Sequence, residues 1–163
     1  MLEAMNLQSL KIISGGQTGA DRAGLDWAIK NGIPHGGWCP KGRRAEDGPI
    51  DAKYQLHETT NSNYLQRTEW NARDSDGTVI FSVRKHLSGN SSGTLEFAIK
   101  HRKPYLHLSA VFKDNAASVL KKWMQQNNIR VLNVAGPRAS KEPEIGEFVH
   151  QVLAATFSSK TAK

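Results

Sequence analysis

A short polar loop near the start of the chain carries the first residues that could do chemistry. It consists of Gly15, Gly16, Gln17, Thr18 and Gly19, and it lies between an apolar stretch and a helix-like stretch. Glycine lets the backbone approach a ligand closely, and a helix start offers free N–H donors and a partial positive charge. The loop therefore predicts a binding site for an anion, above all a phosphate.

Two common phosphate loops do not fit this stretch. A Walker A loop ends in Lys and Ser or Thr, whereas Ala20, Asp21 and Arg22 follow Gly19. The dinucleotide fingerprint requires G-x-G-x-x-G and an acid after the second strand, and "GGWCP" at 36–40 carries none. These differences exclude a P-loop nucleoside triphosphatase and argue against NAD. A plain strand–helix turn remains the alternative interpretation.

A second polar stretch, "SGNSSGTLEFA" at 88–98, strengthens the anion-site hypothesis. Ser91, Ser92 and Thr94 offer hydroxyl groups near a helix start, and Gly93 permits close approach. Either Ser92 or Thr94 is expected to cap the helix. Glu96 is either an acid that suits the helix dipole or a polar group directed at the ligand.

Further segments carry basic side chains that could complete the site. Arg138 follows the last predicted strand and could close over an anion. Arg67 and Asn71 are four residues apart, so they share one helix face. The segment "WCPKGRRAEDG" at 38–48 is a solvated loop, a basic flap over the ligand or a subunit contact.

Other chemistries lack support in the sequence. Cys39 and the six histidines show no metal-ligand spacing, and no G-x-S-x-G elbow is present. We therefore predict no protein-bound metal and assign no catalytic residue.

Strand-like and helix-like segments alternate along the chain and must position these loops. The predicted strands are 10–15, 36–40, 77–83, 104–110 and 130–136, and the predicted helices are 20–32, 64–75, 94–102, 115–128 and 144–157. Such alternation predicts an α/β fold with a doubly wound, Rossmann-like, mostly parallel five-stranded sheet and helices on both faces. We expect one domain over 1–163, with about 1–8 and 159–163 frayed.

The strand order 2-1-3-4-5 fits a sheet of this kind. It places the first and third strands side by side at the switch point, where ligands bind outside the carboxyl ends. The two polar loops follow those strands, so they would face one crevice.

The charge balance narrows the class of partner. The 163 residues include 22 Lys and Arg against 15 Asp and Glu, a net charge of +7. No run of five or six like charges occurs, so we favour a small anionic ligand over nucleic acid. No apolar stretch approaches the roughly 20 residues that span a bilayer. No signal peptide pattern is visible, and the single Cys39 predicts a reducing, cytoplasmic location.

Four ordered blocks carry a family resemblance. They are "SGGQTGADRAGLDWA", "GWCPKGRRAEDG", "RTEWNARDSDGT" and "LNVAGPR", from about residue 13 to 138. Together they resemble the molybdenum carrier family, also called molybdenum cofactor carrier proteins. Wider relatives include the lysine-decarboxylase-like phosphoribohydrolases, whose motif P-G-G-x-G-T-x-x-E is similar to "SGNSSGTLEFA". Here the leading P-G-G is absent and Glu96 is one residue closer to Thr94, which weighs against nucleotide cleavage.

The resemblance implies a carrier that binds and protects or delivers the phosphorylated pterin of the molybdenum cofactor without chemistry, as a homo-oligomer with a tetramer as the expected state. It assigns the cofactor as cargo. By matching position, the binding role falls to Gly16, Gln17, Thr18, Gly19, Ser92, Gly93, Thr94 and Arg138, with Arg67 and Asn71 as further candidates. Two alternatives remain: a phosphoribohydrolase that cleaves nucleoside monophosphates, and a nucleotide sensor.

Overall fold

Seven strands and five α-helices alternate along the residues that the structure describes. The structure is a computed structural model, and it describes residues 9–157 apart from the side chain of Asn90. The segments expected to be frayed, 1–8 and 159–163, lie outside the described residues. The strands are β1 (Lys11–Ile13), β2 (His35–Gly36), β3 (Trp38–Cys39), β4 (His57–Glu58), β5 (Gly77–Ser82), β6 (Tyr105–Ser109) and β7 (Val131–Ala135). The helices are α1 (Ala20–Lys30), α2 (Tyr64–Asp74), α3 (Asn90–Lys100), α4 (Lys113–Gln126) and α5 (Ile145–Phe157).

Five of the strands form one parallel sheet in the order β2-β1-β7-β5-β6. This arrangement confirms the predicted α/β, Rossmann-like class. The predicted order 2-1-3-4-5 is wrong, because the fifth strand of the sheet, β7, lies between β1 and β5. Both β5 and β7 are almost wholly buried. Their apolar residues suit a central strand of any parallel sheet, so the pattern does not specify which neighbours they pair with.

The predicted second strand, 36–40, divides into two. His35 and Gly36 extend the main sheet beside β1, whereas Trp38 and Cys39 pair with β4 in a separate two-stranded sheet. The change of direction occurs at Gly37, which has φ of +124°. A Cβ there would lie 2.3 Å from the Ser14 carbonyl oxygen, so only glycine lets the chain pass over the end of β1.

The helices cover both faces of the sheet and enclose its core. Helices α1, α4 and α5 pack together on one face, and α2 packs against α3 on the other. Gly24 brings α1 close to the sheet, since a Cβ there would lie 2.9 Å from the side chain of Val134. A smaller core beneath 41–56 contains Leu25, Cys39 and Leu56. Among the described helices, none has both the length and the apolar character needed to cross a membrane.

Candidate functional site

A cavity of about 370 Å³ lies at the carboxyl ends of the central strands. Gly15 and Gln17 line it after β1, Ser82 lines it at the end of β5, and Asn133 and Gly136 line it at β7. The two polar loops therefore border the same cavity, although β7 separates the strands that precede them. This is the edge at which open α/β sheets bind ligands.

The structure brings seven of the predicted site residues to this cavity and leaves six outside its lining. The lining includes Gly15, Gln17, Arg67, Asn71, Ser91, Thr94 and Arg138. The residues outside the lining are Gly16, Thr18, Gly19, Ser92, Gly93 and Glu96. Glu96 is exposed on α3.

Most backbone N–H groups of the first loop donate to partners within the protein. The N–H of Gly16 donates to the Ser14 hydroxyl at 3.3 Å, and that of Gln17 to the Asp21 carboxylate at 3.4 Å. The N–H of Thr18 donates to the Gln17 side-chain oxygen at 3.0 Å, and that of Ala20 to the Pro137 carbonyl at 3.2 Å. Asp21 thus occupies the start of α1 as an internal anion, where we expected a phosphate.

The glycines of this loop permit packing within the protein. A Cβ at Gly15 would lie 2.3 Å from the Arg67 guanidinium, and one at Gly19 would lie 2.4 Å from the Pro137 carbonyl oxygen. A Cβ at Gly16 would meet Leu56 at 2.7 Å, in the smaller core. We expected these glycines to make room for a ligand. In the structure each of the three makes room for another part of the protein.

A buried ion pair forms part of the cavity wall. The Arg67 guanidinium lies 3.3 Å from Asp21 Oδ2 and donates to the Gly15 carbonyl oxygen at 3.1 Å. Burial raises the pKa of Asp21 to about 6, although the charge of Arg67 opposes this rise. Burial likewise lowers the pKa of Arg67, and Asp21 opposes that change. Arg67 is therefore partly neutralised before any ligand arrives.

The second loop is shorter than predicted because α3 begins at Asn90 and not at 94. Gly89, with φ of +57°, is the N-cap, and as a glycine it provides no side-chain cap. The prediction that Ser92 or Thr94 caps the helix is wrong. The N–H groups of Ser91 and Ser92 make turn bonds of 3.2 and 3.1 Å to the carbonyls of Ser88 and Gly89. The first turn of α3 contains no acidic residue. The partial positive charge at this helix start, which borders the cavity, is therefore not balanced by an acid of the helix itself.

Cations outnumber acids along the cavity lining. The cations are Arg67, Arg84, Arg138 and Lys141, and the acids are Asp21 and Glu142. Glu142 accepts the N–H of Val83 at 2.6 Å, which ties the loops after β5 and β7 together. The Lys141 ammonium lies 3.6 Å from where a Cβ of Gly89 would be, beside the start of α3. This electrostatic balance favours an anionic ligand.

The segment 38–48 supports the first loop and contributes nothing to the cavity lining. The Glu46 carboxylate accepts the hydroxyl of Thr18 and the N–H of Ser140, and Asp47 pairs with Arg22. Thr18 also accepts the N–H of Ala139 at 3.1 Å. No residue of 38–48 lines the cavity, so the structure gives no support to the basic-flap hypothesis. Thr18 connects the first loop with Glu46 and with Ala139.

Sequence reasoning missed the charged lining residues Asp21, Arg84 and Lys141, and it also missed polar residues inside apolar strands. Ser82 ends β5, donates to the Arg84 carbonyl at 2.6 Å and lies 2.7 Å from His107 Nε2. The Ser82 hydroxyl directs its proton at the Arg84 carbonyl oxygen, so in this geometry its proton is not presented to His107 Nε2, as a general base would require. Asn133, within β7, donates to Thr78 at 3.1 Å. A lone Ser or Asn in a buried strand was the available signal.

Metal-binding groups do not gather at this site. Within residues 9–157, no cluster of three or more His, Cys, Asp and Glu side chains is placed to hold a metal ion. Cys39 is fully buried outside the cavity lining, and burial raises the pKa of its thiol. The cavity therefore offers hydrogen bonds and positive charge.

Comparison with known proteins gives one family and one close structure. Residues 12–157 match the model of cpYpsA, the circularly permutated YpsA SLOG family. The chain is similar to the crystal structure, at 1.45 Å, of a "putative molybdenum carrier protein" from Syntrophus aciditrophicus SB. The two are 48% identical, with a TM-score of 0.88, and the similarity covers 93% of this chain and 97% of the other. No curated protein matches the chain.

The strand order agrees with the permutation in the family description. If the strands of the main sheet are counted from β7, the order β2-β1-β7-β5-β6 becomes 3-2-1-4-5. This is the order of the Rossmann fold, whose switch point lies between strands 1 and 4. In this chain those strands are β7 and β5, and the cavity lies at their carboxyl ends.

Proposed function

The chain belongs to the circularly permutated YpsA SLOG family, and on this premise we propose that it is a carrier of a small phosphorylated anion. The observation that carries the proposal is the 370 Å³ cavity at the switch point, with four cations against two acids in its lining. The uncapped start of α3, beside Lys141, is where we place the phosphate.

We propose the molybdenum cofactor, a phosphorylated pterin, as the cargo. The name of the 48% identical relative supports a molybdenum compound. The lining supports an organic anion, since Asn133 and Ser91 supply polar groups beside the cations. The protein would bind the anionic and polar groups of the cargo. It would not use a thiol for this, because Cys39 lies outside the cavity lining. The proposal includes a homo-oligomer, for which light scattering is the test, and a cytoplasmic location.

Titration with the cofactor tests this function. The purified chain is mixed with molybdenum cofactor under anaerobic conditions, and the cofactor's oxidation is then followed in air. We expect saturable binding and slower oxidation than in buffer or with albumin as control. Absence of binding, or oxidation at the buffer rate, would overturn the carrier proposal.

The rival function is cleavage of nucleoside monophosphates. The partial motif around Thr94, which lines the cavity, favours it. The acid of that motif, Glu96, is exposed and outside the lining, which is why we prefer the carrier. An assay of base release separates the two: activity that Glu96→Gln abolishes would support the rival. A nucleotide sensor would instead bind a nucleotide without releasing base.

A further inference from the structure

Tyr64, the first residue of α2, has three guanidinium groups around its ring. The guanidinium carbons of Arg44, Arg67 and Arg138 lie 5.2, 5.1 and 5.3 Å from the ring centroid. Arg67 and Arg138 line the cavity, and Arg44 does not. The ring attracts each cation, but three like charges around one ring also repel one another.

The described residues balance only part of this charge. Arg67 pairs with Asp21, whereas Arg44 donates to the carbonyl oxygen of Ser62. Within residues 9–157, the Arg138 side chain makes no ion pair and no hydrogen bond. Other cations of the protein do have acids, as Arg22 has Asp47, Arg73 has Asp74 and Lys100 has Glu69.

The charge of Arg138 acts on the carboxylate of Glu46, but that carboxylate accepts hydrogen bonds from Thr18 and Ser140. Hydrogen bonds from Ser140 and Thr18 are the main causes that lower the pKa of Glu46, and the charge of Arg138 adds to them more weakly. The Arg138 guanidinium therefore keeps its hydrogen-bond donors for a group inside the cavity.

We propose that Arg138, in cation–π contact with Tyr64 beside Arg67, forms a second anion subsite, and that the ligand carries an anionic group for this subsite in addition to its phosphate. The inference rests on the proposed function and narrows it, since the ligand class becomes molecules with two separate anionic groups. A guanidinium binds oxyanions through a planar pair of N–H donors, and the cation–π contact with Tyr64 restrains the position of the Arg138 guanidinium. The phosphate end differs, because it relies on α3 and the point charge of Lys141.

A series of simple phosphates tests the inference. The purified 163-residue chain is titrated calorimetrically with alkanediol bisphosphates of increasing length and with the corresponding monophosphates. We expect the best-fitting bisphosphate to bind about tenfold more tightly than its monophosphate, equivalent to one good charge-assisted contact. Arg138→Gln should remove this gain while monophosphate affinity stays within about twofold.

Arg44→Gln is the matched control, because Arg44 contacts the same ring from outside the cavity. It should keep the preference for the bisphosphate. If both variants lose it equally, or if the wild type binds mono- and bisphosphates equally at every length, the second subsite is overturned and the phosphate site stands. If the wild type binds none of these compounds, the proposed function fails together with the inference.

Discussion

The two polar loops look alike in sequence and differ in what their backbones bond to. At the start of α1, the Asp21 carboxylate and the side chains of Ser14 and Gln17 accept the loop N–H groups. At the start of α3, the N-cap is Gly89, which provides no side-chain cap. The backbone N–H groups of Ser91 and Ser92 make turn hydrogen bonds to the carbonyls of Ser88 and Gly89. A glycine-rich loop at a strand end is therefore a weak sign of anion binding until the partners of its N–H groups are known.

The glycines teach the same difference. Those of the first loop touch other parts of the protein on the side where a Cβ would be, whereas Gly93 has nothing within 4 Å there. The first loop is a packing device that shapes the cavity wall, and the second presents a helix start to the cavity.

The largest expected difference between the two loops is in the change of the free energy of unfolding when one glycine of each is replaced by alanine. Gly19→Ala places a Cβ 2.4 Å from the Pro137 carbonyl oxygen at φ of +83°. We expect it to lower the free energy of unfolding by about 2 to 5 kcal/mol, through overpacking and backbone strain. Gly93→Ala in α3 should raise it by up to about 1 kcal/mol. Urea denaturation measures both, and similar losses in the two variants would contradict the comparison.

The internal carboxylate of the first loop predicts a pH dependence. The pKa of Asp21 is about 6 in the folded protein against 3.8 for the free side chain, so the folded state binds the proton more tightly. The stabilisation is complete below pH 3.8 and is lost as pH rises towards 6, on the order of 3 kcal/mol in total. Asp21→Asn should remove this part of the stability–pH curve. Parallel curves for wild type and variant between pH 4 and 6 would show that Asp21 is not the group responsible.

A negative charge at the second loop should compete with the ligand. Ser91→Asp places a carboxylate in the first turn of α3, where Ser91 lines the cavity. We expect inorganic phosphate to bind at least about tenfold more weakly, a loss of roughly 1.4 kcal/mol. The stability of α3 should rise slightly because the charge suits the dipole. Calorimetric titration checks the first effect, and unchanged affinity would place the phosphate elsewhere.

The smallest effect on ligand binding concerns Thr18. Its hydroxyl joins Glu46 to the N–H of Ala139, and Thr18 does not line the cavity. Thr18→Val should lower the free energy of unfolding by about 1 to 2 kcal/mol, through the lost hydrogen bonds. Phosphate affinity should stay within about twofold of wild type. A large change in affinity with unchanged thermal stability would return Thr18 to the ligand site.

Much of the fold could be predicted because periodicity reports local structure. The helices at 20–32, 64–75 and 144–157 lie within a few residues of α1, α2 and α5. Strand order could not be predicted, since β5 and β7 carry the same apolar pattern and either suits the place beside β1. The start of α3 was missed because Ser91, Ser92 and Gly93 have loop-like composition. Tertiary contacts outweigh such local preferences.

The site was predictable in its location and less so in its partners. Glycines and helix starts at strand ends located the cavity, and Arg138 and Arg67 were named from their charge and spacing. Asp21 could not be recognised as the internal anion, because its role depends on burial beside Arg67. Ser82 and Asn133 contribute through the register of neighbouring strands, which a single sequence does not display.

The central place of β7 has a consequence for how the chain folds. On the ribosome, β1 and β5 emerge well before residues 131–135 can pair with both of them. Until then each strand has one exposed edge, and the cavity lacks the lining that β7 provides. Such late, long-range closure predicts slow folding and a period in which the nascent chain is prone to aggregate. Of the strands within residues 9–157, the one synthesised last is thus the one that joins the two halves of the sheet.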